Sequence, residues 1–116
     1  MYINSCRLTT AQKCANVYAV LSFDECEKGE SVSAAKFNHD VVPGVVSFTE
    51  AALRDAYKEI NGDNSALNWF NPNGLFNKPL FPVLLNGIVE SVLNGYIRTW
   101  DQYHTACVDA VTLLRK

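Results

Sequence analysis

"SFTEAALRDAYKEING", residues 47–62, decides the fold class. Ser47 followed three residues later by Glu50 has the form of a capping box, in which each side chain satisfies an otherwise unpaired backbone N–H. Phe48, Ala52, Leu53, Ala56, Tyr57 and Ile60 then recur at helical spacing, and Gly62 stands where a left-handed C-cap would fall. Arg54 and Lys58, one turn apart, mark a polar outer face. The stretch predicts a surface helix with one buried stripe, opening at Ser47.

Working outward toward the C-terminus, Thr99 and Gln102 offer a second capping box, and Trp100, His104, Cys107, Val111 and Leu114 fall on one stripe. Between these helices, Pro82 to Leu93 is apolar on nearly every side and reads as a central, largely buried helix. Toward the N-terminus, "TTAQKCANVYAVLSFDECEKG" fits a helix capped by Thr9 or Thr10, with Ala11, Cys14, Ala15, Tyr18, Leu21 and Ser22 near one face. Its core "NVYAVLSF" is also rich in strand formers. A short helix is expected over Val32–Phe37, and Pro43-Gly44 reads as a turn. Residues 1–116 therefore predict one all-α domain of about four or five packed helices. The fallback is α+β with a small N-terminal sheet.

Bulk composition removes several classes of function. A hydrophobic fraction of 48% with 19% charged residues is that of a folded chain, not a disordered one. The formal charge of −2 and the scattering of Lys and Arg argue against a nucleic-acid or anionic-membrane partner. The longest weakly charged run, Pro79–Ile97, is broken by Asn86, Glu90 and Asn94, so no membrane span is expected. "MYINSCRLTT" lacks the apolar core of a secretory signal, and a cytoplasmic, reducing setting is the expectation. Cys6, Cys14, Cys26 and Cys107 show no paired ligand spacing, which favours free buried thiols over zinc; no cofactor is called for.

Two groupings resemble chemistry. Asp101, His104 and Cys107 are one helical turn apart and could form a relay, but they share their stripe with Trp100 and Val111, as core residues do. His39-Asp40 joins a titratable ring to a carboxylate, yet adjacent side chains usually point apart, and a polar surface loop is expected there.

Recognition features stand out more. "DECEKGE", residues 24–30, carries net charge −3 against +1 for the rest of the chain; Glu25, Glu27 and Glu30 could dock on a basic patch of a partner and speed association. Being near the end of a helix, they also oppose its dipole. "NWFNPNGLFNKPLFP", residues 68–82, sets large aromatics on backbone kept irregular by the turn Asn71-Pro72-Asn73-Gly74 and by Pro79. Trp69 and Phe70 are expected outside as an anchor, and Phe76 and Phe81 inside. Five of the eleven asparagines fall in residues 64–77, where Asn71 and Asn73 supply adaptable hydrogen bonds. Gly87, Ser91 and Gly95 recur every four residues; they would let a backbone approach closely, inside the domain or across a homo-oligomer.

The sequence thus points to a non-enzymatic interaction module that binds another protein stoichiometrically, of inhibitor, immunity or adaptor type. Its contacts would be Trp69, Phe70, Asn71 and Asn73 with Glu25, Glu27 and Glu30. The alternative is a small-ligand or cofactor-free enzymatic domain with a pocket near His39 or His104.

Overall fold

Thr9 opens the first helix as a complete capping box. Its hydroxyl accepts from the Gln12 N–H at 3.1 Å, and the Gln12 side chain accepts from the Thr9 N–H at 2.8 Å. The structure is a computed structural model and describes residues 8–27, 32–61 and 77–114. Helix α1 spans Thr10–Leu21 and stops at Ser22, which takes the left-handed conformation. A 3₁₀ turn, Asp24–Cys26, follows. Helix α2 (Ala34–Lys36), capped by Ser33, runs through a π-helical turn (Phe37–Val41) directly into α3 (Val42–Asn61). Helices α4 (Leu80–Leu93) and α5 (Trp100–Leu114) complete an all-α fold, with four helices among the described residues when α2, the π turn and α3 are counted as one rod. Among the described residues there is no strand, so the N-terminal sheet is not the solution.

The π turn corrects two expectations. Pro43-Gly44 is not a turn between elements, and Ser47 is not a cap, because α3 has already begun at Val42 and Ser47 lies on its exposed side. A proline inside a regular helix removes a donor and presses its ring on the carbonyl four residues back. Here the helix is widened just before Pro43, with the Val42 N–H bonded to the Phe37 carbonyl, and the rod continues. Gly44 answers a steric need, since a β-carbon there would come within 3.0 Å of the Phe23 ring. Its absence lets the Phe23 ring, just after α1, sit against α3.

Helix α3 makes its broadest contacts with α5 and also packs on α4, while α1 packs on α4. Leu53, Val45, Val17, Val92 and Val111 are completely enclosed; each such side chain stabilises the fold by roughly 1.5–3 kcal/mol. Helices α4 and α5 form an antiparallel hairpin. The Lys78 ammonium donates to the Leu114 carbonyl, tying the entrance of α4 to the end of α5 and placing a cation at that helix's negative pole. At the other end Asn16 of α1 donates to the Leu93 carbonyl at 2.8 Å. Gly95 turns the chain with φ +80°.

Three helical faces are rotated from their predicted positions. In α1, Cys14, Val17, Val20 and Leu21 are buried, while Ala15, Tyr18 and Ser22 are exposed. In α5, Tyr103 and Ala110 join Cys107, Val111 and Leu114 inside, whereas Trp100 is 51% exposed and His104 also faces outward. Helix α4 is not a central helix: Phe81, Ile88, Val89, Val92 and Leu93 are buried, but Leu80, Val83, Asn86 and Gly87 are open to solvent. The second capping box is half formed. Thr99 accepts from the Gln102 N–H, but the Gln102 side chain accepts from Arg98 instead.

Candidate functional site

Two surfaces and one acidic turn emerge from this packing. Helices α3 and α5 leave a cleft of about 190 Å³ between Phe48, Ala51, Ala52 and Asp55 on one side and Trp100, Tyr103, His104 and Cys107 on the other. Both quartets follow the i, i+3, i+4, i+7 rhythm of a single helix face. Three of the rings form one aromatic wall: Trp100 and Tyr103 centroids are 5.5 Å apart, Phe48 stands edge-on to Trp100 at 6.1 Å, and it meets Tyr103 at 6.2 Å. Phe23 packs edge-on behind Phe48 at 5.9 Å. The Tyr103 hydroxyl donates to Thr49 at 2.8 Å, and Thr49 donates to the Val45 carbonyl at 2.8 Å. The wall therefore presents carbon to the cleft, and its polar atoms are Asp55 and His104.

The Asp101–His104–Cys107 relay is not assembled. Cys107 is 1% exposed, and burial pushes its thiol up to about 12, where the thiolate needed of a nucleophile is scarce. The His104 Nε2 lies 3.4 Å from Glu59 Oε1 across the α3–α5 boundary. Asp101 is exposed in the first turn of α5. The second histidine is not in a loop: His39 and Asp40 occupy the π turn, and their side chains, expected to diverge, meet at 2.7 Å on open surface with His39 88% exposed. Among the described residues no group of three or more His, Cys, Asp or Glu could hold a metal ion.

The second surface is a shallow groove of about 370 Å³ along the α4–α5 hairpin, lined by Val83, Leu84, Gly87, Ala106, Ala110 and Leu113 among others, with Asp109 at its edge. Val83 is 64% exposed, and Leu80 and Leu113 are exposed beside it. The expected Gly87–Ser91–Gly95 face is not one face. Gly87 and Ser91 line this groove, whereas Gly95 lies in the turn after α4, against Asn16. A β-carbon on Gly87 would meet nothing within 4 Å among the described residues, so tight packing against them is not its role.

Of the acidic segment, Asp24, Glu25 and Glu27 are exposed in and after the 3₁₀ turn, beyond the end of α1, while Cys26 between them is buried. Its thiol is pushed up to about 12 by burial and by the hydrogen bond with Cys14. Cys14, Cys26 and Cys107 are free, buried thiols, as their spacing predicted. Phe81 is buried as expected, whereas Tyr18 is exposed and Tyr96 is 67% exposed. Trp69, Phe70, Asn71, Asn73, Phe76, Glu30, Gly62 and Cys6 lie outside the described residues.

The exposed side of α4 was missed because a helix apolar all round gives no periodicity to orient it; Gly87 in mid-helix was the one signal available. No helix among the described residues is long and apolar enough to cross a membrane. No protein-family model, curated protein or solved structure matches the chain.

Proposed function

We propose that this domain is non-enzymatic and acts by binding another protein stoichiometrically, as an inhibitor, immunity protein or adaptor does. The observation that carries the reading is the open apolar groove of the α4–α5 hairpin, with Val83, Leu80 and Leu113 exposed around Gly87. Glycine inside a helix costs about 1 kcal/mol relative to alanine, and no contact among the described residues explains it at this position. A partner backbone seated on the groove would. Grooves between two helices suit the apolar face of an amphipathic helix. Asp109 and Glu90 on the exposed sides of α5 and α4 favour a partner with basic flanks. The carboxylates of Glu25 and Glu27, with Glu30, would add long-range attraction to the same basic partner. Trp69 and Phe70, with Asn71 and Asn73, belong to the proposal as a second anchor.

The test uses the full chain as bait in lysate of its native host, beside Val83→Glu and Trp69→Ala/Phe70→Ala forms matched in thermal stability. One stoichiometric partner, retained by the parent and lost by Val83→Glu, supports the reading. Retention by Val83→Glu refutes the groove, and retention by the double variant refutes the aromatic anchor. With the purified partner, Glu25→Lys/Glu27→Lys should slow association and flatten its salt dependence. A solution mass of twice 12.9 kDa that Val83→Glu returns to the monomer would instead make the groove's occupant a second copy of this chain.

The small-ligand alternative is favoured by one specific observation, that His104 does line a cleft. Among the described residues, His39 lines neither that cleft nor the α4–α5 groove.

A further inference from the structure

We propose that the α3–α5 cleft is a binding site for a small aromatic cation, an arylalkylamine in chemical class. Its size fits one ring with a short tail: the cleft holds about 190 Å³, and an apolar cavity of about 150 Å³ in a protein accepts benzene. Its walls fit a ring. Phe48 and Trp100 stand at 80° to each other, with Tyr103 beside both, and Ala51 and Ala52 leave room opposite.

The polar groups select the charge of the tail. Tyr103 spends its hydroxyl proton on Thr49, away from the cleft. Cys107 contributes a buried thiol. His104 directs Nε2 toward Glu59. What remains for a ligand is the Asp55 carboxylate, which offers acceptors and negative charge and no donor, and the second ring nitrogen of His104, which is an acceptor when Nε2–H donates to Glu59. An anionic tail would face Asp55 with Glu59 one turn further along α3, whereas an ammonium would meet a carboxylate at one end and ring faces along its side. Arg54 and Lys58 are on α3 as well, but neither lines the cleft. The site is distinct from the α4–α5 groove and stands or falls independently of it.

Three probes of nearly one shape separate the contributions: phenethylamine, 2-phenylethanol and phenylacetate, titrated into the ¹⁵N-labelled protein and followed by amide chemical shifts. Phenethylamine should perturb the α3 amides around Ala51–Asp55 and the α5 amides around Trp100–His104, and bind at least fivefold more tightly than phenylacetate. Asp55→Asn should bring the two within twofold while leaving 2-phenylethanol unchanged. Trp100→Ala should weaken all three at least threefold. Both side chains are surface-exposed, so neither variant removes core, and a thermal melt verifies that each is folded. The proposal is overturned if phenethylamine perturbs neither helix, if phenylacetate binds equally well or better, or if Asp55→Asn leaves the ranking unchanged.

Discussion

The most discriminating stability experiment concerns Tyr103 and Thr49, which join α5 to α3 through the core. The Tyr103 hydroxyl donates to Thr49 Oγ1 at 2.8 Å, both residues being 0% exposed, and Thr49 donates onward to the Val45 carbonyl. Removing the phenol oxygen alone, Tyr103→Phe, deletes one buried hydrogen bond and leaves Thr49 its own acceptor. The expected cost is about 1 kcal/mol. Thr49→Val does something worse, since the Tyr103 proton is then enclosed with no acceptor. That costs about 2 kcal/mol, within the range for a buried unsatisfied group. Val45 loses little, because its carbonyl also accepts the backbone bond of the helix.

With both changes made, neither polar atom remains, and replacement of both partners by apolar groups of like shape is close to neutral. The double variant should therefore be less destabilised than Thr49→Val alone. The coupling from the double-mutant cycle should be about 2–3 kcal/mol, well above the error of additivity for independent sites. Urea melts followed by far-UV circular dichroism give all four stabilities, provided that the slope of the transition is constant across the set. Strict additivity, or a double variant worse than either single one, would refute the claim that these hydroxyls serve each other.

Alkaline stability offers a second check. The Cys107 thiol is raised from about 9 to about 12 by burial, so the unfolded chain gives up its proton first. Its contribution is complete below pH 9 and declines as pH rises toward 12, by up to about 1.4 kcal/mol per pH unit. Cys26 acts in the same direction; burial raises the Tyr103 phenol too. Cys107→Ala should flatten the fall in stability between pH 8.5 and 10.5, and an unchanged slope would show that the thiol is not enclosed. The glycines should separate cleanly. Gly87→Ala should stabilise by about 0.5–1 kcal/mol, whereas Gly95→Ala, at φ +80° and with Asn16 3.3 Å from the new carbon, should cost about 1–2 kcal/mol. In a Cys6→Ser background, Cys14, Cys26 and Cys107 should react with an aromatic disulfide reagent at pH 8 at least a hundredfold more slowly in the native protein than in urea.

The helices were legible in the sequence to the extent that their signals were local. Thr9, one of the two caps that the sequence offered, does open α1, and the apolar repeat of α3 is present as read. Ser47 with Glu50 has the same form and caps nothing, because the helix start was moved back by an event that the pattern does not encode. Pro43 stops a helix unless the turn before it widens. Whether it widens depends on Phe37 and Val41 being held in the core, and both are buried. Gly44 reads as part of a turn for its backbone freedom; its actual use is the space its missing side chain leaves for Phe23, twenty-one residues upstream. The α4 helix shows the complementary failure. A segment with mean composition so apolar is read as enclosed on all sides, and only contacts with α1, α3 and α5 reveal that one side is left over.

The rotation of α5 connects these lessons to the candidate site. Setting the stripe by hydrophobicity alone centres it near Trp100, Cys107 and Val111. The observed face, centred between Tyr103 and Leu114, is turned by about 40° on a helix advancing about 100° per residue. Tyrosine goes inside only where its hydroxyl finds a partner, and that partner, Thr49, is fifty-four residues away. Sequence pattern has no access to such a pairing, so it assigns the interior position to tryptophan. The same rotation carries Trp100 and His104 outward, to the edge of the α3 face that bears Phe48 and Asp55, and the cleft exists because of it. The buried hydroxyl pair and the open aromatic cleft are thus two consequences of one choice of helix face. If Thr49→Val lets α5 turn back to relieve the stranded phenol, the cleft should change with it. Amide shifts around Trp100 and His104 in that variant, and its affinity for phenethylamine, would then move together; in Tyr103→Phe, which strands no donor and keeps the ring, the affinity should not.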